Sequence, residues 1–430
     1  MLKFKKIISI CASTLIALSM CTVCTFAEKK SSDVTVNETD VKTIGCELLN
    51  TLIERQGKGF EKGSAIETSD IFAKSPSTDT YNYYLKWYVG VVNGMNWYWK
   101  DYQYDLDLLE VNGNELTFNA TVEYGKAASK FKCGIYNYHY NITIEQIGEK
   151  YYIKTIETNE ENYASFLRLT EDCPPNATPA EMEEVVANLI DDAYKTRAIF
   201  DSIPVDADKV VDMEKVHREY EESVCEPMAR ASYSYNGEQG RKYADKYHST
   251  NNPYFYVVTT GDGDCTNFVS QCIWAAYGGW TKSDTNAQMQ ANINSGKRMQ
   301  ARTSYSNWFA GAGGGGGPWE NVTSLWNFAT SNKSTGPKAT GFNNNATYKN
   351  IVPSSILTGQ VLQFRQGNSG NYRHSAYVSG GVNDSYDNII ITQHSASVTR
   401  TTLADAIMGW GGSAKCQMRQ LKFTTANFDS

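Results

Sequence analysis

One cysteine in this sequence stands where nucleophilic chemistry would want it. The segment Gly261-Asp-Gly-Asp-Cys265-Thr-Asn-Phe-Val-Ser-Gln-Cys-Ile-Trp-Ala-Ala-Tyr-Gly-Gly279 runs from a turn-forming Gly/Asp stretch into a helical pattern closed by a glycine pair. Phe268, Val269, Cys272, Ile273 and Ala276 fall on one helical stripe, and Cys265 shares it from the first turn. A thiol of pKa about 8.5 can fall to roughly 3.5–7.5 at a helix N-terminus or beside a histidine. A thiolate formed there attacks carbonyl carbon at neutral pH. Cys272, two turns further along the stripe, is the internal control: deep in the core and expected to be inert.

The thiol needs a base, and the sequence offers only five histidines, at 139, 217, 248, 374 and 394. His139 falls in an expected strand, His217 in a charged helical stretch and His248 in a polar loop. His374 opens the short alternating run Ser375-Ala-Tyr-Val-Ser379, and a turn at Asn383-Asp384 returns the chain through Asn388-Ile-Ile-Ile-Thr-Gln-His394. Two such runs read as an antiparallel pair, which brings His374 near Thr392, Gln393 and His394. His394 is expected to orient the His374 imidazole, as the third member of a triad does. The backbone N–H of Cys265 would serve the oxyanion. Asp264, Gln393 and Trp319 are expected on the oxyanion or substrate side.

Other patterns lead nowhere. Gly311 to Gly317 is nearly pure glycine, but no Lys-Ser/Thr follows, so it is no phosphate loop; it reads as a flexible rim loop running into Pro318-Trp319. Asp262 and Asp264 lack the further acids of a calcium loop and are expected to shape a turn. No metal or cofactor is expected.

The elements that must position these residues differ along the chain. An apolar helical pattern runs from Val41 to Arg55, and aromatics crowd Tyr81 to Trp99. Tyr104 to Tyr124 carries Asn112-Gly113, a strong hairpin signal, and Tyr138 to Glu157 breaks at Gly148-Glu149. A helix followed by an antiparallel meander makes residues 41–172 a small α+β module, similar in pattern to NTF2-like or cystatin-like folds. Thr178-Pro179-Ala180-Glu181 is a capping box with proline at the first helical position, followed by Met182, Val185, Val186, Leu189 and Ala193 on one face. A second helical stretch spans Ala207 to Met228, so 173–228 reads as a helical linker. From 229 to 430 the composition turns to Tyr, Ser, Asn and Gly, and the strand Gly359 to Phe364 extends the sheet that holds His374.

The chain is long enough for two or three domains. Lys3, Lys5 and Lys6, the apolar run Ile7 to Met20 and the small residues before Ala27 have the layout of an export signal cut after Ala27. The run is shorter than the roughly 20 apolar residues of a membrane-spanning helix. Leu18-Ser19-Met20-Cys21 is similar to a lipid-attachment box, although Met20 stands where that box has a small residue. Residues 28–40 read as a flexible leader. Loss of three lysines leaves 37 basic against 47 acidic residues, a net charge of −10, which disfavours nucleic acid as a partner. Seven cysteines then remain, an odd number, so at least one thiol is unpaired.

Asp264-Cys-Thr-Asn-Phe-Val-Ser-Gln271 resembles the signature of an amidase domain family related to the NlpC/P60 and CHAP cell-wall peptidases. Gln239-Gly-Arg-Lys-Tyr-Ala-Asp-Lys-Tyr247, Asn251-Asn-Pro-Tyr254, the strand from Gly359, His374-Ser375 and Gln393-His-Ser395 fit the same pattern. The resemblance extends from about Tyr235 to the C-terminus. It implies a papain-like α+β fold, Cys265 as nucleophile, His374 as base and His394 as the orienting residue. CHAP-like enzymes often carry an acid or asparagine near that last position. By likeness to NlpC/P60 relatives, Tyr254 would be an oxyanion donor, with Tyr256 its competitor. The implied protein is a secreted, cell-wall-associated cysteine amidase acting on peptidoglycan stem peptides by hydrolysis or transfer. The rival reading is a catalytically silent wall-binding or scaffold protein.

Overall fold

The crowded aromatics from Tyr81 onward form a helix. Ser75 caps it, accepting from Thr78 N–H while the Thr78 hydroxyl accepts in return, and Pro76 takes the first helical position. Tyr81, Tyr84, Trp87 and Tyr88 recur at three- and four-residue spacing, so one face is aromatic and buried. In the computed structural model, residues 38–130, 132–222, 233–258, 264–394 and 399–429 are described. The expected export signal, residues 28–37 of the leader, Cys225, Asp262 and Ser395 lie outside them.

Chain order begins with α1 (Glu38–Lys62) and α2 (Pro76–Met95), then β1 (Trp99–Asn112), β2 (Glu115–Lys126), β3 (Lys132–Ile147) and β4 (Lys150–Thr158). The strands pair in sequential order as an antiparallel meander. Asn112 pairs with Glu115, so the first turn is Gly113-Asn114, one residue later than Asn112-Gly113. Gly113 takes the positive φ (63°) there, a conformation that costs glycine least. Ile147 pairs with Lys150 across Gly148-Glu149, as the sequence suggests. α1 extends beyond the expected 41–55 by three residues at its start and seven at its end, which places its first residues inside the expected leader.

α3 (Glu161–Leu169) and α4 (Pro179–Ser202) follow, the latter with the expected Thr178–Glu181 capping box. α4 packs along α2. A Cβ on Gly90 would collide with Ile190, and one on Gly94 would lie 3.0 Å from Tyr194 N. The close approach requires glycine at both positions. α5 (Met213–Glu222) covers part of the second expected helix.

The C-terminal part contains α6 (Gly237–Tyr247), α7 (Cys265–Ala276), α8 (Asn286–Asn294), the short strands β5 (Ala310–Gly311) and β6 (Gly314–Gly315), α9 (Gly317–Glu320) and α10 (Val322–Thr330). β7 (Lys338–Phe342), β8 (Val361–Gln366), β9 (His374–Gly381), β10 (Ile389–Thr392), β11 (Arg400–Thr402), α11 (Leu403–Gly409), α12 (Gly412–Lys415) and β12 (Cys416–Thr424) complete it. Six strands form an antiparallel sheet in the order β11-β10-β9-β8-β12-β7. α7 lies against β9, α6 and α9. All of its residues are buried, not a single stripe, because it is enclosed on every side.

The N-terminal helices and meander dock firmly on the C-terminal part. Lys126 reaches from β2 to form a buried ion pair with Asp405 on α11, and its Nζ also lies 4.0 Å above the Trp97 ring. Trp97 Nε1 donates to Asp387 Oδ1 at 2.8 Å, and Arg197 Nη1 donates to Asp387 Oδ2 at 2.7 Å. Phe200 packs on Tyr386, with centroids 4.8 Å apart. Residues 38–430 cluster as one compact unit. Among the described residues no helix is long and apolar enough to cross a membrane.

Candidate active site

Cys265 is the first residue of α7, and its side chain is only 3% exposed. Its sulfur lies 3.7 Å from the Thr266 hydroxyl. The Thr266 and Ser375 hydroxyls meet at 3.0 Å, which ties the helix start to β9. Ser375 is the residue after His374, so the start of α7 and the start of β9 meet at this contact.

His374 is buried, 8% exposed. Its Nε2 donates to Gln393 Oε1 at 2.6 Å. An amide oxygen only accepts, so the ring proton sits on Nε2 and the lone pair on Nδ1. Trp410 covers a ring face at 5.8 Å, with planes 26° apart, and Phe364 lies 6.2 Å away. Gln393 therefore occupies the orienting position expected of His394.

His394 has a different task. Consecutive extended residues face opposite ways, so Gln393 turns to His374 while His394 turns to α7 and stacks on Phe268 at 3.9 Å. His394 Nδ1 bonds Asp264 Oδ2 at 2.9 Å, and Nε2 bonds the Tyr247 carbonyl at 2.8 Å. Both nitrogens face acceptors. Asp264 Oδ1 also accepts from Val258 N–H at 3.0 Å and Asn267 Nδ2 at 2.7 Å. His394 and Asp264 thus pin the chain just before the nucleophile.

Trp319 is fully buried beneath α7, donating from Nε1 to Asn267 Oδ1 at 2.8 Å and packing on Trp308 at 4.4 Å. It steadies the Asn267–Asp264 pair from below and belongs to the core, not to a rim. The glycine run brings it in: a Cβ on Gly316 would collide with Asn307 O. Tyr254 is partly buried against the same core, and Tyr256 is 43% exposed. Neither lines the cavity beside His374.

Electrostatics differ from the low-pKa thiolate expected at a helix start. Burial pushes the Cys265 thiol above its ordinary value, and the Ser375 N–H and Thr266 contacts offset this only in part. Burial pulls His374 below its ordinary value. The Gln393 bond and the Glu161 carboxylate act against that shift, and the Arg168 guanidinium acts with it. Desolvation disfavours the charged form of both groups, so the resting pair is a neutral thiol and a neutral imidazole. Cys272 is fully buried, its thiol pushed far up by burial. Cys46, Cys173 and Cys416 are also free, together with Cys265 and Cys272.

A cavity of about 1090 Å³ opens in front of His374. The C-terminal part contributes His248, Asp264, Arg373, Gln393, His394 and Trp410 to its wall. The N-terminal part contributes Trp87, Tyr136, Tyr138, Glu161 and Arg168. The buried Trp87 indole N–H has no partner among the described residues.

Sequence reasoning missed Gln393 as the orienting residue, together with Trp410 and Arg168. Strand alternation at Gln393-His394 carried a signal for the first. Trp410 sits among glycines, and Arg168 lies far away in the sequence; neither carried one. No metal-binding cluster of His, Cys, Asp and Glu occurs among the described residues.

Residues 234–419 match the family model described as "Putative amidase domain". The match supports an amide-bond hydrolase with a peptide-like substrate. No curated protein and no solved structure matches the chain.

Proposed function

We propose that this chain is an exported cysteine amidase that cleaves amide bonds in peptidoglycan stem peptides. The observation that carries the reading is the contact of Thr266, beside Cys265 at the start of α7, with Ser375, beside His374 at the start of β9, together with the His374 Nε2 bond to Gln393. Cysteine, histidine and a side-chain amide in this order suit acyl transfer.

His374 Nδ1 takes the thiol proton as sulfur attacks the scissile carbonyl. Because both groups rest neutral, charge separates only during attack, and Gln393 Oε1 steadies the imidazolium through its Nε2–H. The Cys265 N–H at the start of α7 donates to the oxyanion. Imidazolium then protonates the leaving amine, leaving a thioester on Cys265. Water, deprotonated by His374, attacks that thioester and restores the thiol. The cavity before His374 seats the peptide, with the aromatic wall of the N-terminal part opposite His374.

The burial of Cys265 favours a second reading, a catalytically silent wall-binding module. Peptidoglycan digestion by wild type and Cys265→Ala, with products identified by mass spectrometry, separates the two. New amino groups with wild type alone support the amidase. No products, with Cys265 alkylated no faster than Cys272, support the silent module. No products but fast alkylation keep the active site and reject the substrate.

A further inference from the structure

We propose that the N-terminal module is a working part of the catalytic centre, with Arg168 a positioning residue that clamps Trp410 onto the face of His374. The inference rests on the reading of His374 as the base.

Arg168 lies in the last turn of α3, in the module furthest in sequence from the catalytic pair. Its Nε and Nη2 both donate to the Gly409 carbonyl, at 3.3 and 3.1 Å, and Nη2 also donates to Ser165 Oγ at 3.0 Å. The guanidinium sits 4.6 Å from the Trp410 ring centroid. Trp410 passes the contact on, stacking on His374 and on Phe364 at 6.5 Å. The imidazole is held at its edge by Gln393 and on its face by Trp410, and Trp410 is held by Arg168.

The chain around Trp410 supports this independently. Gly409, Gly411 and Gly412 flank the ring, and Trp410 caps α11 with its N–H bonded to the Ala406 carbonyl at 3.0 Å. A Cβ on Gly409 would fall 2.9 Å from Ser165 Oγ, and one on Gly412 would collide with Asp192 of α4. Ser413 is bonded to both Thr196 Oγ1, at 2.7 Å from its N–H, and Asp192. α3 of the N-terminal module and α4 therefore press on the Trp410 turn from two sides. A planar, two-donor, stacking side chain suits this place, and lysine would reproduce the charge alone.

Charged groups acting on His374 are Glu161 and Arg168 on α3, and Arg373, His248, Asp264, His394, Arg400 and Asp405 line the same cavity. Arg168 acts to keep the imidazole neutral and Glu161 opposes it.

The test follows ring-labelled histidine by NMR across pH, with kcat and KM measured in parallel, for wild type, Arg168→Met, Arg168→Lys, Glu161→Gln and Trp410→Phe. His374→Ala assigns the resonance, and Cys265→Ala checks the underlying mechanism. Arg168→Met is expected to lower kcat between roughly 10- and 100-fold, the scale of a misplaced catalytic group, with KM changed less than about two-fold on that same reasoning. Its His374 titration and the acid limb of kcat move to higher pH, and Glu161→Gln moves both to lower pH. Arg168→Lys keeps the wild-type titration but not the rate. Should Arg168→Met fail to fold, the lysine and Trp410→Phe variants carry the test: both must lose kcat. Wild-type rates and titration in all folded variants would overturn the clamp, as would faster turnover on losing Arg168. If Cys265→Ala stays active, the mechanism fails, while the histidine titration still reports on the clamp.

Discussion

Replacing Gln393 by leucine removes the acceptor that meets His374 Nε2, at 2.6 Å, while keeping much of the side-chain volume. The Nε2–H is buried and would be left without a partner. A buried donor deprived of its acceptor costs about 1–3 kcal/mol, and here the cost falls most heavily on the imidazolium formed during attack. At about 1.4 kcal/mol per factor of ten, kcat should fall roughly 5- to 150-fold. KM should change little, because the contact is with the base. Gln393→Glu keeps the acceptor and adds a charge. A carboxylate beside the ring favours imidazolium, so its acid limb should move to higher pH. Steady-state kinetics on a defined stem-peptide amide, with melting temperatures to confirm folding, would measure both. Wild-type kcat in Gln393→Leu, combined with a large loss and a shifted acid limb in His394→Ala, would refute the reasoning and restore His394 as the orienting residue.

His394→Ala should instead loosen the chain before Cys265 by freeing Asp264, lowering kcat without moving the acid limb; pH–rate profiles check this. The neutral resting pair predicts that Cys265 alkylation rises steadily with pH through neutrality, whereas a preformed thiolate–imidazolium pair would give a plateau. Because burial holds His374 below the ordinary value of about 6.5, the acid limb of kcat/KM should lie below that value. Its contribution to stability is full above the unfolded-state value and is lost as pH falls through the folded one, which urea midpoints across pH would read. Lys126→Met strands Asp405 in a largely buried site and should cost about 3–5 kcal/mol, measured by chemical denaturation.

The helix that begins at Cys265, the strand that begins at His374 and the two N-terminal hairpins were legible because each is local. A turn run into a helix, a strand opening on histidine and Gly-centred turns all announce themselves within a few residues. The capping box at Thr178 read correctly for the same reason. The orienting residue was harder: one position along a strand separates Gln393 from His394, and that step decides which face each meets. Cys265's raised thiol was not legible, since burial of α7 on every side depends on β9, α6 and α9 together. Trp319 was misread because a glycine run that looks flexible in sequence serves close packing in the fold. The Arg168–Trp410–His374 stack joins segments more than two hundred residues apart, and no local pattern signals it.

The central claim is that Cys265 carries the acyl group. Rapid acid quench of the protein during turnover of a stem-peptide substrate, followed by proteolysis and mass spectrometry, tests it most directly. The account predicts an acyl mass on the peptide containing Cys265, absent in Cys265→Ala and accumulating when His374 is replaced only if attack still occurs. Turnover that proceeds in Cys265→Ala, or an acyl group found on another residue, would contradict it.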